Sequence, residues 1–309
     1  MQALRSKKRA ITGILLLDKP KGMTSNQALQ KVKQLFLADK IGHTGSLDPL
    51  ATGLLPLCLG EATKFSQFLL NADKRYVVSA RLGIKTNTGD AEGEVIKSCP
   101  IADYSLDELE AILSHFRGSI LQTPPMFSAL KYKGQPLYKL ARQGIVVERR
   151  PRTVKIHCLH LLESNEDKSV LSLEIKCSKG TYIRTLIEDI GESLGCGAYV
   201  QNLRRLGVAN YCADQMVSLD ELQALSQNER YEKLLNLDSL LSEWPIFKVS
   251  QAAAYYLYCG RTLLLPNLPK QGLLRLCLKE NDRFIGIGEI LENGRVMPRR
   301  LIDFNKSGF

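Results

Sequence analysis

Apolar residues follow two different periods along the chain, and the changes between them predict a mixture of strands and helices. Positions 11–17 form an apolar run rich in branched residues, as in a buried strand, and the polar turn DKPKGMTS follows. Apolar residues then recur at helical spacing through NQALQKVKQLFLA, with Thr24 or Ser25 as the predicted N-cap. The stretch SLDELEAILSHF predicts a second helix, because Ser105 and Glu108 have the spacing of a capping box.

The second half of the chain continues this mixture and then changes character near Trp244. The stretch SVLSLEIKCSKGTYIRTLIEDIGESLG predicts a strand, a tight turn and a helix, and GAYVQNLRRLGVANY predicts a further strand. An acidic, leucine-rich stretch over residues 219–241 predicts helix, which Trp244 and Pro245 end. The remainder alternates short apolar runs with turns such as PNLPKQG and ENGR, as in a small β-barrel. We therefore expect two domains, residues 1–245 and 246–309.

Composition is that of a globular protein with a marked positive charge. Of the 309 residues, 44% are hydrophobic and 24% are charged, and 42 Lys and Arg against 32 Asp and Glu give a net charge of +10. This charge favours a polyanionic partner, either nucleic acid or an anionic membrane surface. A basic cluster over residues 5–9 precedes ITGILLL, but Asp18, Lys19 and Pro20 interrupt the apolar run, so we expect a flexible tail. No apolar run is long enough to cross a bilayer.

Cysteine and histidine positions argue against a disulfide framework and a metal site. The eight cysteines are scattered without a CxxC pair, which is typical of reduced thiols, and we expect a cytoplasmic protein. His157 and His160 lie in an apparently extended segment, where side chains three residues apart face opposite sides. We therefore expect no bound metal.

The segment between Lys131 and Lys155 has an unusual concentration of positive charge. It contains eight Lys or Arg against Glu148 alone, and Tyr132 and Tyr138 lie among these charges. Basic side chains mixed with aromatic rings bind a phosphate backbone and stack on bases, so the segment predicts contact with nucleic acid. The alternative is a solvated surface without a partner.

Asp48 is the carboxylate most suited to chemistry, because it lies in the glycine-rich stretch GHTGSLDPLATG. One interpretation is that Asp48 only initiates a turn before Pro49. The other is that a glycine-shaped loop lets a substrate approach closely while the carboxylate acts as nucleophile or base. Such a carboxylate needs a nearby cation to stay ionised, and Arg184 in GTYIRT is a candidate. We find no GxSxG, P-loop, HExxH or dinucleotide motif that would indicate other chemistry.

Four stretches in register resemble the bacterial tRNA pseudouridine synthase B family. They are GHTGSLDPLATGLLPLCLGEATK, QTPPMFSALKYKGQPLYKLAR, CSKGTYIRTLIEDIG and LRRLGV, and the similarity runs from Gly13 onward, most strongly through Leu206. The resemblance implies an α+β fold with a mixed, largely antiparallel central sheet and flanking helices. It also implies a small C-terminal β-barrel PUA-like RNA-binding domain. The expected activity is isomerisation of uridine 55 in the tRNA T loop to pseudouridine, which needs no cofactor.

The resemblance also implies roles for individual residues. Asp48 matches the essential aspartate, which acts as nucleophile or base toward the ribose. Tyr76 matches the tyrosine that stacks on the target base, and Arg184 matches the arginine that pairs with the aspartate. His43, Tyr182 and Leu203 match positions that line the pocket of the flipped-out nucleotide. Residues 122–153 correspond to an RNA-clasping insertion. We expect its RNA-backbone contacts at Lys131, Lys133, Arg142, Arg149, Arg150 and Arg152.

Two other functions remain open at the level of sequence. A tRNA-binding folding chaperone would use the basic segment without any catalysis. An N-glycosidase would break the same glycosidic bond and release the base. We expect a monomer that binds the T arm of tRNA and no membrane.

Overall fold

The structure is a computed structural model that describes residues 10–266 and 271–303. The basic tail predicted within residues 1–9 and part of the predicted PNLPKQG turn lie outside the described residues. In the described ranges the α-helices are α1 (Ser25–Leu35), α2 (Ser66–Asn71), α3 (Leu106–His115), α4 (Leu137–Ala141), α5 (Ile183–Ser193), α6 (Leu219–Ala224), α7 (Gln227–Glu232) and α8 (Gln251–Tyr258).

The strands follow the same chain order. They are β1 (Gly13–Lys19), β2 (Ile41–His43), β3 (Thr52–Leu59), β4 (Lys74–Leu82), β5 (Ile84–Thr86), β6 (Val95–Ser98), β7 (Gly118–Gln122), β8 (Lys131–Tyr132), β9 (Gln135–Pro136), β10 (Arg152–Ser164), β11 (Val170–Cys177), β12 (Ala198–Val208), β13 (Tyr211–Cys212), β14 (Val217–Ser218), β15 (Ile246–Val249), β16 (Leu263–Leu264), β17 (Gly272–Leu278), β18 (Phe284–Ile290) and β19 (Arg295–Leu301).

A mixed central sheet organises the fold between Gly13 and Ser218. Its order is β14-β1-β3-β12-β4-β11-β10-β7, with β2 added to β3 and β13 added to β12. Most neighbours are antiparallel, whereas β1 runs parallel to β14 and β3 runs parallel to β12. The predicted mixed, largely antiparallel sheet is therefore confirmed. Alternation along β1 sends Leu15 and Leu17 into the core under the helices and Ile14 and Leu16 into a second core on the other face.

The start of α1 shows why the sequence folds as it does beside the candidate loop. Thr24 is the N-cap, because its hydroxyl accepts the Gln27 N–H at 3.1 Å and the Gln27 side chain accepts the Thr24 N–H at 2.8 Å. Ser25, the other predicted cap, instead turns inward and bonds both the N–H and the C=O of Leu47, at 2.7 and 3.0 Å. The turn after β1 thus attaches the helix to the loop that carries Asp48.

Helices in the described ranges are short, and the prediction of a helix over residues 219–241 is wrong in its continuity. Ser226 caps a new helix through Glu229, so the stretch divides into α6, α7 and a 3₁₀ turn at Leu237–Leu241. The apolar spacing is correct, but the capping residue inside the stretch ends one helix and begins another. No helix of the described residues is long and apolar enough to span a membrane.

Strands between Ile246 and Leu301 form a second, five-stranded sheet in the order β15-β17-β18-β19-β16. This sheet packs on the central sheet through a shared apolar core rather than through a linker. Phe65 and Phe284 place their ring centroids 5.7 Å apart, and Phe68 meets Trp244 edge-on at 5.0 Å. The Glu61 carboxylate also accepts the backbone N–H of Asp303 at 2.7 Å. The two sheets are therefore one packed body at this contact.

Replacing Phe65 by alanine tests this shared core. We expect Phe65→Ala to lower the free energy of unfolding by about 3–5 kcal/mol, because the ring is fully buried and leaves a cavity. Leu70→Ala, in the same helical stretch but 44% exposed, should cost under about 1 kcal/mol. Urea unfolding followed by Trp244 fluorescence measures both values. Equal costs for the two variants would contradict the shared core.

Candidate active site

The loop that carries Asp48 is held by side chains from the preceding strand and helix. Lys19, at the end of β1, is fully buried and donates to the carbonyl oxygens of Met23 at 2.6 Å, Pro20 at 2.8 Å and Pro49 at 3.4 Å. Burial lowers the pKa of Lys19 to about 8, and the negative charge of Asp48 opposes that shift. Together with Ser25 on Leu47, these contacts fix the backbone on both sides of Asp48.

Two glycines of the loop have conformations that other residues rarely adopt. Gly45 has a φ of +130° and Gly53 a φ of +98°. A Cβ on Gly53 would lie 2.3 Å from the carbonyl oxygen of Arg205 in β12, where β3 and β12 run parallel. The loop therefore needs glycine at position 53 for close contact between two strands, which the glycine-rich sequence alone did not specify.

Arg184 forms a salt bridge with Asp48, and its guanidinium joins three segments of the chain. Its Nε lies 3.0 Å from Asp48 Oδ2, and its terminal nitrogens donate at 2.7 Å to the carbonyl oxygens of Thr88 and Phe127. A second carboxylate, Asp90, lies 3.8 Å from the same guanidinium. Because Arg184 is only 6% exposed, its planar geometry and its partners are fixed.

Asp48 is partly buried, and this burial affects the pKa of its carboxyl group. Its side chain keeps 44% of its surface accessible, while protein surrounds the remainder. Burial raises the pKa of Asp48 above its usual 3.8, Arg184 opposes the shift, and Asp90 adds to it. The structure thus holds a carboxylate that is accessible to a ligand and oriented by a buried cation.

Tyr76 and Leu203 lie on adjacent strands beside this pair. In the β4–β12 register Leu203 lies opposite Val78 and Arg205 lies opposite Tyr76, and Tyr76 and Leu203 are both under 10% exposed. Burial raises the pKa of Tyr76, whereas the nearby Arg205 guanidinium lowers it. The phenol is therefore neutral and protonated at neutral pH.

Arg205 is a site residue that the sequence analysis missed. It is 1% exposed and donates from Nε to Leu54 O at 2.6 Å and from Nη2 to Gly45 O at 3.2 Å. It thereby holds the start of the loop as well as facing Tyr76. The available signal is its place in LRRLGV, because alternation along a strand directs one of two adjacent arginines inward.

His43 and Tyr182 lie at the boundaries of their elements. His43 ends β2, and its Nδ1 accepts the Gly45 N–H at 3.4 Å, which leaves the ring proton on Nε2. Burial and Arg205 lower the pKa of His43, so the ring is neutral at neutral pH. Tyr182 immediately precedes α5 and so lies two residues from Arg184.

The six predicted RNA-backbone residues divide into two groups in the structure. The exposed group consists of Lys131, Lys133, Arg142 and Arg150. Arg149 and Arg152 are half-buried and contact the protein itself. Arg149 donates to Pro124 O and Val147 O at 3.2 Å each, and the Arg152 guanidinium lies over the Tyr182 ring at 5.3 Å. Among the residues that the structure describes, no cluster of three or more His, Cys, Asp or Glu side chains could hold a metal ion.

Comparison with known proteins identifies the family. The sequence matches the profile "TruB family pseudouridylate synthase (N terminal domain)" over residues 33–183, and two further TruB C-terminal profiles over residues 184–243 and 245–302. It is 57% identical over 299 residues to a tRNA pseudouridine synthase B of Coxiella burnetii, which covers 96% of each chain. The chain belongs to the TruB family of pseudouridylate synthases. A tRNA pseudouridine synthase B of Stutzerimonas stutzeri is 54% identical over 306 residues, covering 98% of this chain and 99% of the relative.

Solved structures with the TruB-type fold align over nearly the whole chain. A Cbf5-Nop10-Gar1 complex aligns with a TM-score of 0.71 at 23% identity, covering 96% of this chain and 85% of the other. An H/ACA RNP bound to a substrate RNA aligns with a TM-score of 0.70 at 22% identity, covering 96% and 86%. At this identity the likeness establishes the fold alone.

The pKa of Asp48 is directly measurable and tests the geometry of this TruB-family site. Carboxyl ¹³C titration, with the signal assigned through Asp48→Asn, should give a pKa above 3.8, because burial disfavours the charged form. Arg184→Gln should raise the pKa further, since the stabilising cation is lost. Arg204→Gln, which removes a pair with Asp18 instead, is the matched control and should leave the titration unchanged. An Asp48 pKa at or below 3.8 in the wild type would contradict the arrangement.

Proposed function

We propose that this TruB-family protein isomerises uridine 55 in the T loop of tRNA to pseudouridine. The observation that carries the proposal is the Asp48–Arg184 pair, one accessible carboxylate held at 3.0 Å by a buried cation in a fixed loop. Relatives named tRNA pseudouridine synthase B, 54–57% identical, support tRNA as the substrate. In the reaction the C1′–N1 bond breaks, the base turns, and a C1′–C5 bond forms. The C5 proton leaves and N1 gains a proton, so no electron carrier is required.

The proposed roles combine the family resemblance with the position of each residue in the fold. Asp48 acts in its ionised form, either as nucleophile at C1′ or as base toward the ribose, and Arg184 keeps it oriented. Tyr76 lies against the uracil ring with its hydroxyl protonated, since burial raises its pKa. His43, Tyr182 and Leu203 complete the walls of the nucleotide pocket. No step requires a cofactor or a metal ion.

Access to the base requires that the target nucleotide leave its stack. Extruding a uridine from a folded T arm costs a few kcal/mol, and phosphate contacts along the basic insertion offset this cost. Lys131, Lys133, Arg142 and Arg150 are exposed and able to supply such contacts. In this proposal residues 1–245 form the catalytic unit with the insertion at 122–153. Residues 246–309 form a PUA-like RNA-binding unit, and the protein acts as a cytoplasmic monomer.

Nucleoside mapping of an unmodified tRNA transcript tests the reaction and its catalyst. We expect pseudouridine at position 55 with the wild type and none with Asp48→Asn, because the amide cannot act as nucleophile or base. The variant should still bind tRNA with near wild-type affinity. Free uracil without pseudouridine would indicate an N-glycosidase. Binding and refolding of tRNA by both proteins, without any product, would indicate the chaperone.

Salt dependence tests the RNA contacts of the insertion. Because each phosphate contact releases counterions, Lys131→Gln and Arg150→Gln should each weaken tRNA binding and reduce the slope of log affinity against log salt by about one. Lys168→Gln is the matched control, since Lys168 pairs with Asp103 outside the insertion and should not change the slope. An unchanged slope in all three variants would refute the role of the insertion.

A further inference from the structure

The basic insertion leaves the central sheet and returns to it at two adjacent residues. Gln122 is the last residue of β7, Arg152 is the first residue of β10, and the two lie opposite each other in the antiparallel ladder. The chain between them is the insertion itself. We call this residue pair the root of the insertion. Any contact that Gln122 or Arg152 makes links its partner to the place where the insertion joins the sheet.

Both side chains contact Tyr182. The Gln122 amide brackets the main chain, because its Oε1 accepts the Tyr182 N–H at 2.7 Å and its Nε2 donates to the Tyr182 C=O at 3.1 Å. The Arg152 guanidinium lies 5.3 Å from the centre of the Tyr182 ring, with Nη2 at 3.5 Å from the hydroxyl. One residue thus fixes the peptide and the other fixes the ring.

Burial makes these contacts restrictive. Gln122 is 2% exposed, so its amide needs hydrogen-bond partners within the protein. Its two bonds to the Tyr182 backbone supply a partner for the amide oxygen and one for the amide nitrogen. The Nε of Arg152 is also buried and has no hydrogen-bond partner within the described residues. Buried polar atoms without a hydrogen-bond partner are uncommon, and the guanidinium that carries this one packs over the Tyr182 ring. Tyr182 in turn is the N-cap of α5, two residues before Arg184.

We propose that Gln122 and Arg152 are positioning residues for Tyr182, and that they complete the nucleotide pocket only when the root of the insertion is in place. The inference rests on the proposed function, in which Tyr182 lines that pocket. Neither residue touches the reacting atoms. Their effect on the reaction passes through the ring and backbone of Tyr182, and so through the start of α5.

The test separates the rate of the bound complex from the affinity for tRNA. Gln122→Leu retains side-chain bulk without hydrogen bonds, and Arg152→Lys retains the charge without the planar group. Both should lower the single-turnover rate at saturating enzyme about tenfold or more, with tRNA affinity within about threefold of wild type. Lys168→Gln, which removes a pair with Asp103 outside the insertion, is the control and should leave both the tRNA affinity and the saturated rate unchanged. Full saturated rates in Gln122→Leu and Arg152→Lys would overturn the proposal.

A double-variant cycle tests whether the effect passes through Tyr182. In a Tyr182→Leu background, Arg152→Lys should cause little further loss of rate, because the ring that it positions is absent. Independent, multiplying losses would overturn the proposal. If Gln122→Leu does not fold, Arg152→Lys carries the test, since its side chain is half-buried and its substitution is conservative.

Amide hydrogen exchange gives a readout that does not depend on activity. Gln122→Leu removes the acceptor of the Tyr182 N–H, so exchange at that amide should accelerate while exchange in β11 stays unchanged. Unchanged protection at Tyr182 would contradict the positioning contact. Absence of pseudouridine with the wild type would refute the proposed function, whereas an active wild type with equally active variants would refute this inference alone.

Discussion

The arrangement of the site depends on one buried guanidinium. Arg184 reaches the Asp48 loop, the turn at Thr88 and the base of the insertion at Phe127, all within 3.0 Å. These segments are distant in sequence, and the guanidinium is planar with donors in fixed directions. The three segments must therefore be correctly placed together for Asp48 to keep its orientation. At Asp48 two effects oppose each other: burial raises the pKa of the carboxyl and Arg184 lowers it, and burial has the larger effect.

Features that depend on neighbouring residues could be predicted from the sequence. The cap at Thr24, the capping box from Ser105 to Glu108 and the strand–turn–helix that contains Arg184 are all present. They are predictable because the groups that determine them lie within a few residues. The helix over residues 219–241 was the exception, because a capping serine divides a continuous apolar pattern.

Features that depend on contacts across the sheet could not be predicted in the same way. Ser25 bonds Leu47 across 22 positions, Gln122 bonds Tyr182 across 60, and Arg205 bonds Leu54 across 151. Nothing in the local sequence identifies these partners, because the residues next to a buried polar side chain in the chain do not show which distant group it bonds. Charge reasoning made Arg184 a candidate partner of Asp48, the resemblance to a known family implied the pair, and the structure places the two side chains 3.0 Å apart. The sequence likewise does not show which basic residues of the insertion are exposed and which are half-buried.

The apolar contact between the two sheets has a consequence for selectivity. Phe65, Phe284 and their neighbours join the C-terminal sheet to the central sheet as one core, so among the described residues no flexible tether separates the surface of the C-terminal sheet from the surface around Asp48. A ligand large enough to touch both surfaces meets them at a set separation and loses no conformational entropy in ordering one against the other. A fixed spacing selects ligands by shape. A molecule whose two contact points are closer together or farther apart than the two protein surfaces can bind only one of those surfaces at a time.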